Sequence, residues 1–285
     1  MGNRKTLGGR QAGRFGLFLI LTLVTLIFLL PILWMISSSV TPNQTVFKYP
    51  PQWIPEAPTL KNYTEVFTSG RTVRISSALW NSSIVAAVTV IVTIGIASLA
   101  AYPLARMEFW GKNSLFILIL AGLMIPWEVT FVSLFLLFHK FRWINTYQAL
   151  ILPSLASPFG VFLLRQFFLS IPKDLEDAAR IDGCGRLKIL VSIILPLSRP
   201  ALATLTIFIF LMSWNNFLWP LIVVTEPNMM TVPVVLAFYA ATFQSTMEWG
   251  TLMATAFLSS FLPVVLFLFL QKQFVRGITL SGLKG

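Results

Sequence analysis

Apolar, nearly uncharged runs of about twenty residues recur along this chain, divided by short polar or charged breaks. Six stand out: Phe15–Ser37, Ser82–Ala105, Asn113–Leu136, Tyr147–Leu164, Ala201–Val224 and Gly250–Leu270. A helix rises about 1.5 Å per residue, so roughly 20 residues cross the ~30 Å hydrocarbon layer of a bilayer. A water-soluble core could not absorb so many. The pattern predicts an all-α integral membrane protein with six transmembrane helices. These form one polytopic domain over 15–271, between a basic N-terminal segment (1–14) and a C-terminal tail (272–285).

Composition agrees. The chain is 56% hydrophobic and 11% charged, against about a quarter charged in soluble domains. The basic N-terminus before an apolar run mimics a signal peptide, but the run is longer than a usual h-region and continues through Pro31-Ile-Leu-Trp34. An uncleaved first span is expected.

The net charge of +11 invites a nucleic-acid reading, which its distribution removes. With six spans, the side holding both termini carries fifteen Lys and Arg, six of them in the 165–199 loop. The opposite side carries six: Lys48, Lys61, Arg71, Arg74, Lys140 and Arg142. By the positive-inside rule both termini and the 165–199 loop are cytoplasmic, and the loops 41–77 and 225–249 are external. The charge is topological, membrane lipid is the surrounding partner, and no nucleic acid is implied.

The 165–199 loop is the one long charged passage. It holds Asp174, Glu176, Asp177 and Asp182 among the acids, with Lys173, Arg180, Arg186, Lys188 and Arg199. Pro172 can start a helix and Gly183 and Gly185 can break one. The expectation is a helix, a Gly turn and a second helix on the membrane surface, a shape suited to docking on a soluble protein.

This passage resembles the EAA loop of the membrane subunits of ATP-binding-cassette (ABC) importers. Asp177-Ala178-Ala179, Ile181-Asp182-Gly183 and Leu195-Pro196 carry the likeness. Two positions depart from that pattern: Asp177 stands for the usual Glu, with Glu176 before it, and Cys184 for the usual Ala. The likeness extends over 15–285 through Met124-Ile-Pro-Trp-Glu128, Asn145-Thr-Tyr147, Pro158-Phe-Gly-Val-Phe162, Ser213-Trp-Asn-Asn216, Trp219-Pro-Leu221 and the tail to Gly285. Together these resemble the carbohydrate-type permeases, similar to the second maltose-permease subunit and its relatives, glycerol-phosphate permeases included.

The resemblance implies a permease subunit in a bacterial-type inner membrane. It would form half of the pathway for a sugar or sugar-like solute, with a cytoplasmic coupling helix between spans 4 and 5. Lys173, Leu175, Glu176, Asp177, Ala178, Ala179, Asp182, Gly183 and Gly185 would meet the ATPase. The implied partners are a second related permease, an ATPase dimer that binds ATP and Mg, and an external solute-binding protein near Glu226–Thr231. This chain itself would need no cofactor and no metal.

The parts of an enzyme are missing. His139 and Cys184 are the sole residues of their types, with no acid–base constellation around them. The tail Gly277–Lys284 mimics a P-loop but puts Leu283 where the lysine is required. Polar groups inside spans are costly and draw notice. Trp214, Asn215 and Asn216 in the fifth span admit two readings, interhelical hydrogen bonding or a solute passage. Glu128, the one acid within a span, either marks a boundary or structural pair or faces the same passage. The competing class is an ion-coupled secondary transporter. It needs intramembrane acids or paired charges, for which Glu128 is a thin basis, and it leaves the charged loop without a role.

Overall fold

A computed structural model describes residues 5–50, 52–68, 73–246 and 248–282, and among these no strand occurs. The helices in chain order are α1 (Lys5–Ser39), α2 (Lys61–Thr68), α3 (Ile75–Arg106), α4 (Lys112–Ala121), α5 (Phe131–Lys140), α6 (Tyr147–Ile151) and α7 (Pro158–Ser170). There follow α8 (Asp174–Ile181), α9 (Arg186–Ile189), α10 (Leu195–Leu197), α11 (Arg199–Trp214), α12 (Leu218–Val223), α13 (Val232–Thr246) and α14 (Trp249–Gly282).

Three continuous helices, Arg14–Ser39, Ile75–Arg106 and Trp249–Gln273, are long and apolar enough to cross a bilayer. Three bent pairs qualify when each is taken as one span, six in all on that count. The third expected span is not a rod: Lys112–Met124 and Trp127–Lys140 meet at 90° around Pro126. The fourth breaks by 46° between Ser154 and Pro158. The third bent pair is Arg186–Leu197 with Arg199–Trp214, at 82°; the fifth expected span stops at Trp214, and α12 restarts at Leu218. Proline is the common cause in the first two, since it deletes an amide donor and clashes with the preceding turn. The apolar stretch Val232–Phe243, expected within an external loop, instead forms most of α13. Fifteen helical residues rise only about 22 Å, too short to cross the bilayer upright.

Two compact units divide the chain: Met1–Gly70 with Phe238–Ser259, and Arg71–Ala237 with Ser260–Gly285. In the first, the loop after α1 is organised by side chains rather than left loose. Asn62 Nδ2 donates to the carbonyls of Ser39 and Thr41, both at 2.8 Å. Asn43 exchanges bonds with Thr251, and Trp53 packs edge-on to Trp34. A Cβ on Gly250 would fall 2.5 Å from Asn62 Nδ2 and 2.6 Å from the Thr41 carbonyl, so only glycine fits.

In the second unit α3 is the central rod, packed against α7 and α11. Small residues let the backbones close: a Cβ on Gly160 of α7 would sit 3.2 Å from the Cβ of Ala97 on α3. Ala101, Leu104, Leu164, Phe168, Ile194 and Leu205 complete the buried seam.

Candidate functional site: a docking loop and a cavity

The charged loop folds as its residues require. Asp174, Glu176 and Asp177 occupy the first turn of α8, where carboxylates complement the positive end of the helix dipole. At the other end the Cys184 amide donates to Ala179 O and the Gly183 amide to Arg180 O. This is the paired bonding of a Schellman motif, which needs a left-handed residue at its second-to-last position. Gly183 supplies it, with φ +79°.

The two adjacent acids face opposite ways. Glu176 turns inward onto α3, its Oε1 2.7 Å from Arg106 Nε, and both side chains are 3% exposed. The two atoms meet off the axis of a linear hydrogen bond, so the contact is an electrostatic one. Tyr102 Oη donates to Glu176 Oε2 at 3.2 Å, and Arg106 Nη2 donates to Ile171 O at 2.6 Å. Asp177 is 61% exposed and meets Arg180 of its own helix, at 3.2 Å. Beside it Leu175, Ile181 and Leu187 present apolar side chains outward, Ile181 at 88% exposure. Lys173, Ala178, Asp182 and Gly185 are also exposed, whereas Ala179 is buried. Of the residues expected to meet an ATPase, Glu176 and Ala179 therefore point the other way.

The second feature is a cavity of about 710 Å³. It opens where three helices are interrupted: at Gly122–Thr130, at Pro153–Pro158 and at Ser213–Leu218, with Thr89 of α3 on its wall. Interrupted backbone at membrane depth is tolerated where it is buried or lines a water-filled space. Glu128 and the distant neighbours Asn215 and Asn216 all line this cavity. Trp214 does not. It is buried, its ring stacked on Phe210 at 5.4 Å.

Behind one wall, Trp127 and Phe131 meet the buried Trp219 at 6.4 and 5.6 Å. Trp219 Nε1 donates to Ala149 O at 2.8 Å. Two more segments singled out in the sequence are fasteners. Asn145, with φ +61°, accepts from the amides of Thr225 and Glu226 at 2.7 and 3.1 Å. Tyr147 Oη bonds Asn81 Oδ1, and Asn81 Nδ2 donates to the carbonyls of Asn228 and Met230. The segment Glu226–Thr231, expected near an external solute-binding protein, is thus tied to α3 and to the loop before α6.

Sequence reasoning missed Arg106 and Tyr102 as partners of Glu176. The one available signal was a basic residue closing a long apolar run. It also missed the Pro153–Pro158 wall, which hid inside a run read as one span. Among the described residues, no three His, Cys, Asp or Glu come together as a metal would need.

Residues 91–280 match the family of binding-protein-dependent transport system inner membrane components, and the chain belongs to it. It is a multi-pass permease subunit of the ABC importer class and not an enzyme.

Its relatives include the arabinooligosaccharide transport permease AraQ of Halalkalibacterium halodurans, 37% identical over 92% of this chain and 93% of that one. The trehalose/maltose permease MalG of Thermococcus litoralis is 37% identical over 92% and 94%. The sn-glycerol-3-phosphate permease UgpE of Salmonella typhi is 32% identical over 88% and 91%. Among solved structures, a bacterial ABC transporter that imports the acidic polysaccharide alginate shares the fold. Its TM-score is 0.77 at 21% identity, over 93% of this chain and 98% of that one.

Proposed function

We propose that this subunit forms half of the membrane pathway for a sugar or sugar-like solute and couples it to ATP hydrolysis through α8. A related permease, a pair of ATPases that bind ATP and Mg, and an external solute-binding protein complete the importer. Both termini and the 165–199 loop lie in the cytoplasm, and the 41–77 and 225–249 loops lie outside.

One observation carries the reading: α3 is a single unbroken helix that touches both features. Thr89 stands on the cavity wall, and Arg106, at the end of the same helix, grips Glu176 of the docking loop. Seventeen residues separate them, about 25 Å of helix. A push on α8 is delivered through a buried charge pair to the rod that borders the cavity. Asp177, paired with Arg180 of its own helix, and the exposed Ile181 face outward, where they would meet the ATPase. Closure of the ATPases on ATP then shifts the permease pair between inward- and outward-open states by differential binding to the two.

The test is purification of the tagged chain with its ATPase, followed by uptake in proteoliposomes. Uptake that requires ATP and survives dissipation of ion gradients is expected. Uptake that ignores ATP and collapses with a proton or sodium gradient overturns the reading in favour of a secondary transporter.

A further inference from the structure

Arg142 holds a backbone position that suits glycine. At the end of α5 the Arg142 amide donates to His139 O at 3.0 Å and the Trp143 amide to Phe138 O at 2.9 Å. This is a second Schellman turn, closed by the Phe138 and Trp143 rings at 5.6 Å. In the docking loop the left-handed seat of such a turn goes to Gly183; here it goes to Arg142, with φ +58°. A side chain is strained there and glycine is not.

Nothing within the chain accounts for the arginine. Asn145 is also left-handed, but its side chain accepts from the amides of Thr225 and Glu226. Arg142 is exposed, and among the described residues no hydrogen bond or ion pair engages its guanidinium. Attraction to the negative end of the helix is already met by Lys140, in the last turn of α5. Strain kept at an exposed charge without a partner in its own chain marks a contact made to something else.

The turn is joined to the cavity by two helices. Phe131 lines the cavity and opens α5, which ends at Lys140; Leu218 lines it and opens α12, which ends at Val223. The Val223 carbonyl accepts from the Asn145 amide at 3.0 Å, so the base of the turn is fixed. On that base Lys140, Phe141 and Arg142 are exposed side by side. Six Lys and Arg belong to the side proposed as external, and two of them are here. Two cations flanking an exposed ring on a rigid support suit an acidic protein surface, since Arg and aromatic residues are enriched where proteins meet and charges steer docking.

We infer that the 140–142 turn is a docking contact for an acidic surface of the external solute-binding protein, with Arg142 as its main residue. This contact presupposes the importer reading proposed above and locates where the delivering protein touches this chain. A protein fits better than lipid headgroups because both helices under the turn lead to the cavity that delivered solute must reach.

The test uses the whole importer in proteoliposomes and the solute-binding protein encoded with it, carrying the solute with which it purifies. ATP hydrolysis is followed against the concentration of that protein. Arg142→Gly should melt no lower than the parent, because glycine relieves the backbone, yet need roughly threefold more binding protein for half-maximal stimulation. Arg142→Glu should need on the order of tenfold more. The maximal rate should hold in both, and the gap between Arg142→Glu and the parent should narrow at high salt.

Equal half-maximal concentrations in all three proteins overturn the inference. So does a shift that vanishes in vesicles without anionic lipid, which would assign the turn to headgroups. Failure of the binding protein to stimulate even the parent would instead count against the importer reading, and the contact would fall with it.

Discussion

Glu176 and Asp177 are neighbours in sequence and opposites in space: one carboxylate is locked onto Arg106, the other stands in solvent. Successive residues on a helix differ by about 100° in direction, so a pair at the edge of a buried face is split between inside and outside. The consequence is a division of labour. Glu176 holds the loop on its rod, and Asp177 is open to contact from outside, as the proposed docking of an ATPase requires.

That division separates two kinds of variant. Arg106→Ala or Glu176→Ala strands a buried charge, at a cost of about 3–5 kcal/mol. The expected result is a lower melting temperature of the purified subunit and new protease cleavage in 172–185. Replacing both by methionine should recover much of the loss, because an apolar pair strands no charge. Asp177→Lys loses an exposed ion pair and a helix-dipole contact, so melting should fall far less than for either buried change, while solute-stimulated ATP hydrolysis is abolished and Asp177→Glu is tolerated. Equal melting losses at Glu176 and Asp177 would contradict the split.

Gly183 is constrained by conformation and not by space. No atom lies within 4 Å of the position a Cβ would take, yet φ is +79°. A left-handed backbone costs roughly 1–2 kcal/mol for an ordinary residue and less for Asn. Gly183→Val should therefore impair ATPase stimulation severely, and Gly183→Asn only mildly, with both subunits inserted. Equal impairment by Asn and Val would point to crowding by the docked ATPase instead.

The Trp214-Asn215-Asn216 motif divides in the same manner. Trp214→Ala removes a buried ring from its stack on Phe210, a loss on the order of 3 kcal/mol, and should reduce assembly. Asn215→Leu changes a cavity-lining amide and should lower uptake while the complex assembles normally. Assembly yield and uptake, measured on the same membranes, distinguish them.

Orientation is checked by thiol labelling in a Cys184→Ser background. An impermeant reagent applied to intact cells should label Ala57→Cys and not Ser281→Cys until the membrane is opened. Reversed accessibility would place the docking loop in the wrong compartment.

The spans were legible in the sequence because length and apolarity suffice to identify a helix that crosses lipid. Their interruptions were harder to read. Pro126, Pro153 and Pro158 sit in apolar surroundings, where a proline can equally kink a helix or end it. The turn at Gly183 was legible, since Gly after a short charged helix is a local signal. The inward turn of Glu176 was not, because it depends on Arg106, which only the folded chain brings near. Glu128 and the two asparagines each drew notice as polar groups in lipid. That they share one cavity is a fact of packing between spans. Trp214 followed the same rule of notice and belongs to the core.

The crowded seat of Gly250 has a practical side. Thr41, Asn43 and Asn62 surround it with no room to shift, so the base of the long loop after α1 is fixed to the start of α14. The loop's edge is open to solvent: Tyr49 and Ile54 are almost wholly exposed, and so are Ala57 and Pro58 beyond them. An epitope or fluorophore grafted between Ala57 and Pro58 would ride on a rigid base without disturbing it. Grafts next to Asn43 or Asn62 would unseat the helix they were meant to report on.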